Sequence, residues 1–476
     1  MGIEGECDVK KLVPFQLVPS KKNVPPGERS AEPSEPSSSG RIVGTALVLA
    51  ASLLVAAFTT ATAQESRKRW ERLCQIRHEK FDRILPEAMR ENGIDMWITM
   101  SKEGLYDPLF RDFGEGYVGT IGYFIFTDRG AAGIERTAIG LSDRRLEACG
   151  LYDVVEDGID LQAFVSERDP KRIALNMSEG IGAADGLSHS SYLYLTKTLG
   201  EKYDSRFVSA EKLASDFRSR RVASEIVAFG EAGEMSREIA ERALSNEVIA
   251  PGMTTLEDVS WWMWDQLLAR GLDSSFGMPS VYVTGPEGIE DTSNERIIQR
   301  GDFLIIDWGV GYLGFYTDIK RTAYVLKEGE TRAPAGLQHA FDQAVKVREL
   351  LRQKIKPGPT AAVMLEHLND EIAKAGFSLI EFNRPTDADT TDVIIGCHSV
   401  GDLGHGIGPS IAWFNPERLQ YEIRPSNMFS IELFAYTRAP EFSGKKVRIP
   451  LEDDAIVTAR GVEWVYPINR RILLIK

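Results

Sequence analysis

The sequence predicts an α+β protein in which a smaller α/β domain precedes a larger domain of helices laid over a curved antiparallel sheet. Three observations predict it. Helical periods and strand-like runs interleave between residues 64 and 216. One phrase, helix then PGxT then helix then Gly, occurs twice in residues 217–476, at Pro251–Thr254 and Pro357–Thr360, each time followed by strands. Finally, Gly301–Thr322 reads as two apolar strands joined by a Gly-rich, hairpin-like connection.

The elements follow in order. Residues 1–40 are rich in Pro, Ser, Lys and Glu and cannot build a core. An apolar run after Arg41 ends in Ala61-Thr62-Ala63, the pattern of a secretory signal peptide cut after Ala63. The expected divisions are therefore 1–63 as leader, 64–216 as the α/β domain and 217–476 as the larger domain. Arg69–Asn92 has helical periodicity, with Gly93 placed to end it. Ile94–Met100, Tyr123–Asp128, Arg172–Ser178 and Ser191–Thr196 read as strands. Residues 217–245 read as one long charged helix. Thr254 and Glu257 have capping-box spacing for the next helix, which stops near Gly271; the second copy stops at Gly376.

Composition narrows the function. With 476 residues, 43% hydrophobic, the chain can bury full-sized cores, and a net charge of −14 argues against nucleic acid and anionic membrane as partners. The four cysteines (Cys7, Cys74, Cys149, Cys397) show no disulfide framework. With the leader removed at least one must be unpaired, and Cys397 reads as a small buried residue.

The chemistry gathers around Asp307 and Asp318. Pairing them across the two strands sets both carboxylates on one face, Cβ atoms ~5 Å apart, which is destabilising unless cancelled. A divalent cation, a shared proton, or a loose surface hairpin that never brings them together are the options. Further along, CHSVGDLGHGIG supplies His398 and His405, strand alternation in NMFSIELFAY groups Ser430, Glu432 and Phe434, and Glu452 precedes a strand in VRIPLEDDAIVT.

Taken together, IDWG…YTDIKRT, HSVGDLGH, FSIEL and EDDAIVT, with ten residues between the aspartates, resemble the pita-bread metallopeptidases. These are methionine aminopeptidase, Xaa-Pro aminopeptidase and prolidase, with creatinase as a relative. The resemblance covers residues 217–476; more weakly, 66–215 is similar to the N-terminal domain of the creatinase and aminopeptidase P branch. It implies a pita-bread domain after a creatinase-N-like domain and two divalent ions, Mn²⁺ favoured over Zn²⁺, Co²⁺ or Fe²⁺. The ligands it implies are Asp307, Asp318, His398, Glu432 and Glu452. Four carboxylates and one imidazole are a hard donor set that suits such ions, which would lower the pKa of a shared water and polarise the scissile carbonyl. Glu432 would carry the proton to the leaving amine, His405 would donate to the developing oxyanion, and Arg321 would orient a ligand or form a surface salt bridge. His398 is preferred as the ligand because both histidines then have a role; were it His405, Ala412 would stand at the second position. Where the family carries a further substrate-facing histidine, this chain has Ile289, Glu290 or Asp291.

The resemblance thus implies a metallopeptidase acting on peptides, plausibly at Xaa-Pro bonds, as a homodimer, and the signal-peptide pattern implies export, without stable membrane association once the leader is cut. The alternatives are a catalytically idle metal- or peptide-binding homologue and a creatinase-like, metal-independent C–N hydrolase.

Overall fold

A computed structural model describes residues 65–476 apart from 159, 289, 381–383 and 402–405. The leader with its cut after Ala63, and His405, lie outside the described residues. Residues 66–476 form one compact unit. Among the described residues no helix is long and apolar enough to cross a membrane.

The first part is built on a mixed six-stranded sheet, in spatial order Val154–Glu156, Ile134–Ile139, Ile121–Asp128, Met96–Lys102, Ile173–Leu175 and Phe207–Ser209. Alternation along Met96–Lys102 sends Trp97 into an aromatic core with Phe81, Phe113, Phe126 and Phe217, and Met96, Ile98 and Met100 into a second core on the other face. Both faces are thus covered, as a sheet containing parallel pairs requires. The helix of residues 65–91 closes one side, and Gly93 follows it at φ 62°. Three of the four strand readings hold. Ser191–Thr196 instead lies in the helix His189–Leu199: the Ser188 hydroxyl accepts the Ser191 N–H, and Ser191, Leu195 and Leu199 share the buried face at helical spacing. Capping and packing override the strand preference of Tyr and Thr.

The expected boundary at 216 falls within the helix Glu211–Ser219, and the long helix is Ala223–Ala243, separated from it by Arg220–Val222. That separation corrects the single helix expected over 217–245. Arg220 has β-region dihedrals, and Arg221 Nη2 donates to Val400 O, so the turn is held by partners remote in sequence.

Two helix pairs then alternate with strands. Ala223–Ala243 and Leu256–Arg270 pack on the sheet Leu473–Ile475, Ile319–Val325, Phe303–Trp308, Ser280–Thr284, Glu290–Asp291. Ala335–Lys354 and Ala361–Lys374 pack on two further sheets that include Leu433–Arg438 and Lys446–Leu451, and Met428–Ser430 and Asp454–Thr458. The cap of the second helix sits one residue later than expected: Thr255 Oγ1 accepts Asp258 N–H while Asp258 accepts Thr255 N–H, and Gly271 ends the helix at φ 59°. Thr254 Oγ1 instead accepts Ala250 N–H. In the second copy Thr360 caps as placed, and Gly376 has φ 87°.

The strand register corrects the expectation for the aspartates. Phe303–Trp308 runs antiparallel to Ile319–Val325 with Asp307 opposite Lys320, not Asp318. The intervening Val310–Tyr312 and Phe315–Tyr316 form their own small hairpin through Leu313 (φ 54°) and Gly314 (φ 78°), as a two-residue turn demands. Gly309 lets this hairpin cross closely, since a Cβ there would lie 1.7 Å from Thr317 O. Asp318 is left just before its strand, two residues from Lys320.

Candidate metal centre

The two halves meet where the backbone N–H of Lys320 donates to Glu452 O (3.1 Å), an isolated bridge between Ile319–Val325 and the junction of Lys446–Leu451 with Asp454–Thr458. The acidic run Glu452-Asp453-Asp454 at that junction is wholly buried, and each member faces a different way. Glu452 enters the cluster described below. Asp453 accepts from Asn469 N–H (2.9 Å) and pairs with Arg321 (2.8 Å) and Arg348 (3.5 Å). Asp454 Oδ2 accepts from Asp318 N–H (3.3 Å) and from Tyr466 Oη–H (3.1 Å). Arg321 is therefore a buried brace for the residue beside Glu452, not a surface salt bridge.

Glu432 arrives by a change of sheet. The strand Met428–Ser430 belongs to one sheet and Leu433–Arg438 to another, and Ile431-Glu432 bridges the two. Gly396 N–H donates to Glu432 O (3.0 Å), and Gly396 is small enough to leave room for its carboxylate: a Cβ there would come 2.5 Å from Oε2. His398 lies on Cys397–Ser399, directly opposite Ser430. Cys397 beside it is buried, as read from the sequence, and its thiol faces Glu432 O.

Asp307, Asp318, His398 and Glu432 line one cavity of about 640 Å³, with Phe276, Trp413, Phe414 and Phe434 as apolar walls and Arg448 on one side. Glu452 lies under its floor at 0% exposure. His398 Nε2 stands 3.6 Å from Asp318 Oδ2, 3.6 Å from Glu452 Oε1 and 3.9 Å from Glu432 Oε2. One ligand atom each from Asp318, His398 and Glu452 lies within 4.8 Å of the others, a span that one ion with ~2.1 Å bonds can bridge with small adjustments. Asp318 Oδ1 is buried and accepts no hydrogen bond among the described residues. Such an atom carries a desolvation penalty that a cation would remove. These three residues fit a divalent ion.

Lys320 went unnoticed in the sequence. Its ammonium contacts Asp307 Oδ2 (3.1 Å), Glu432 Oε1 (2.7 Å) and Glu452 Oε2, and its side chain is 4% exposed. Spacing from Asp318 does not reveal it, because Asp318 precedes the strand Ile319–Val325 and the face of Lys320 is set by its pairing with Asp307. Burial pulls its pKa down, but Asp307, Glu432, Glu452 and Asp318 outweigh that and hold it well above the usual lysine range. Burial likewise raises Glu432 to about 7 against the opposing Lys320 charge, with Glu452 adding to the rise. For Glu452 burial is outweighed by Lys320 and His398, which hold it at about 2. Asp318 is pushed well up by burial and then by Glu452.

At the position of the expected upstream histidine, Glu290 pairs with Arg448 (2.7 Å), whose guanidinium stacks near Phe434 (5.2 Å). The acid found there thus positions a cavity-lining cation. Asp291 turns away to Ser293 and Arg296.

Residues 228–459 match the metallopeptidase family M24. The Xaa-Pro dipeptidase of Pyrococcus furiosus is 22% identical over 314 residues, 63% of this chain and 77% of that one. A Mycoplasma pneumoniae protein is 33% identical over 118 residues, but the match spans only 24% of this chain and 32% of that protein. Among solved structures, the X-Pro aminopeptidase of Thermotoga maritima superposes with a TM-score of 0.59 at 19% identity, over 82% of this chain and 99% of that one. The α+β architecture is the pita-bread fold of such proteins.

Proposed function

We propose, from the match of residues 228–459 to the metallopeptidase family M24, that this chain hydrolyses the bond after an N-terminal residue, with Xaa-Pro peptides as substrates and Mn²⁺ as the favoured metal. The observation that carries this reading is the buried convergence of Asp318, His398 and Glu452, with Asp318 Oδ2 3.6 Å from His398 Nε2 and Asp318 Oδ1 accepting no hydrogen bond among the described residues, beside an apolar-walled cavity.

Asp318, His398 and Glu452 would hold the ion, which when bound supplies Lewis acidity to the scissile carbonyl and to an attacking water. Glu432 is the proton carrier. Its Oε2, 3.9 Å from His398 Nε2, is placed to take a proton from the attacking water and return it to the leaving amine. Lys320 ties down Oε1 of that carboxylate and leaves Oε2 on the His398 side. The walls formed by Phe276, Trp413, Phe414 and Phe434 suit a proline ring or another apolar side chain and exclude water around it. Arg448, oriented by Glu290, offers a partner for the carboxylate of a short peptide.

Export fits the same reading. It is supported by the bond between Cys74 and Cys149, a pairing the sequence did not disclose, since disulfides persist in oxidising compartments. The test is mass-spectrometric digestion of a peptide panel with the Mn²⁺-loaded chain. Release of single residues from Xaa-Pro peptides is expected, and absence of any cleavage with Mn²⁺, Zn²⁺, Co²⁺ or Fe²⁺ would defeat the proposal. One observation favours a second reading, a metal-independent C–N hydrolase: Lys320 already neutralises part of the acidic cluster. Turnover that survives exhaustive chelation would select it.

A further inference from the structure

The five residues that the resemblance assigns to two ions do not all face open space. Three of the four carboxylates, Asp307, Glu432 and Glu452, converge on the Nζ of Lys320, which has three N–H donors for its three acceptors. The strand register enforces this, because Lys320 is the residue directly opposite Asp307 and so shares its face. The lysine has nowhere else to go. Its ammonium lies over the Phe434 ring (5.5 Å from Nζ to centroid), and the side chain is 4% exposed. A divalent ion held by Asp307 and Glu452 would have to occupy the space the ammonium fills, against like charge at contact distance. On the other side of Glu452, Oε1 faces His398 and accepts from Ser430 Oγ–H (2.6 Å), and Asp318 Oδ1 accepts nothing among the described residues.

We propose that Lys320 is a built-in cation standing in one of the two ion positions, so that this chain binds a single divalent ion on Asp318, His398 and Glu452. The inference rests on the metallopeptidase reading and refines it. Asp307 becomes a partner of lysine rather than of metal. Glu432 is oriented by an ammonium, and the protein's charge balance needs one dication fewer. Glu452 joins the two positions, one oxygen to each.

Metal per folded chain, measured on the full protein after loading with Mn²⁺ and removal of free ion, tests this. The wild type should carry one ion and give the spectrum of isolated Mn²⁺ in electron paramagnetic resonance. Lys320→Met should carry two, with the signal altered by exchange coupling between them. Asp307→Asn should retain one ion, and His398→Ala should retain none. These two variants keep the test alive should Lys320→Met fail to fold. Two ions in the wild type, one ion in Lys320→Met, or loss of an ion in Asp307→Asn each overturns the single-ion proposal while leaving a metallopeptidase intact. No ion in the wild type, with circular dichroism showing a folded chain, overturns the metal reading itself.

Discussion

At the scale of single residues, Glu432 can be changed in chemistry with little change in volume. As the proton carrier, its loss should cost about 10²- to 10⁴-fold in kcat. Glu432→Gln keeps a side chain able to face Lys320 and His398, so the steady-state rate should fall by that factor while circular dichroism is unchanged. A rate within threefold of wild type would remove Glu432 from the reaction. A residue far from the site gives a cleaner pH test. Asp107 is buried and accepts from Leu109 N–H (2.9 Å) and both ways from Asn176 Nδ2 (2.9 Å). Burial nevertheless outweighs those bonds and raises its pKa to about 6. Because the folded pKa is raised, the contribution of this group to stability is full below the unfolded pKa and is lost as pH rises through about 6. The stability of wild type relative to Asp107→Asn should therefore fall by up to about 3 kcal/mol between pH 4 and pH 7.5, measured by urea unfolding. A rise over that range would contradict the assignment. Individual acids and the imidazole were legible because carboxylates and histidine stand out in apolar or Gly-rich contexts. Lys320 was not, because a lysine in a strand is ordinarily a solvated face and only the partner strand reveals what it meets.

Elements set the positions of these residues, and here the local pattern was a partial guide. Helix stops at Gly93, Gly271 and Gly376 followed from left-handed conformations that glycine adopts without strain. The run Asn427–Tyr436 reads as one strand by alternation, whereas the chain leaves one sheet at Ile431 and joins another at Leu433. Alternation cannot announce that change, because the residues on either side keep their faces. Likewise the offset that set Lys320 rather than Asp318 against Asp307 came from the embedded hairpin Val310–Tyr316, whose length a two-strand pattern does not reveal. The change of sheet has a testable consequence at Gly396. Alanine there would meet Glu432 Oε2 at 2.5 Å and Cδ at 3.0 Å, so the carboxylate must move. Misplacement of a reacting group by about 1 Å can cost on the order of 10²-fold. Gly396→Ala should lower kcat by roughly tenfold to a hundredfold, with a smaller change in melting temperature than a core truncation such as Leu433→Ala produces. An unchanged kcat would show that Glu432 has room to spare.

For the molecule as a whole, the repeated helix–PGxT–helix order was the most informative large-scale signal: the first helix pair packs on one face of the first sheet, and the second pair packs on the two later sheets and on the other face of the first, through Phe303, Ile305 and Tyr324. The Cys74–Cys149 bond was illegible because two cysteines 75 residues apart share no spacing rule. Closing a loop of that length should contribute about 4 kcal/mol on the chain-entropy account. Cys149→Ser should thus lower the melting temperature, with metal content unaltered because the bond joins elements of the six-stranded sheet and its helices. No shift on substitution would mean the bond is not formed in the protein as made. The central claim is that buried acids and an imidazole converge to hold a cation that works on peptides. Its most direct measurement is an anomalous difference map from crystals of the full chain grown with Mn²⁺. A peak bounded by Asp318, His398 and Glu452, beside Lys320 still paired with Asp307, is the predicted result. A map with no peak there, at saturating Mn²⁺, would contradict it.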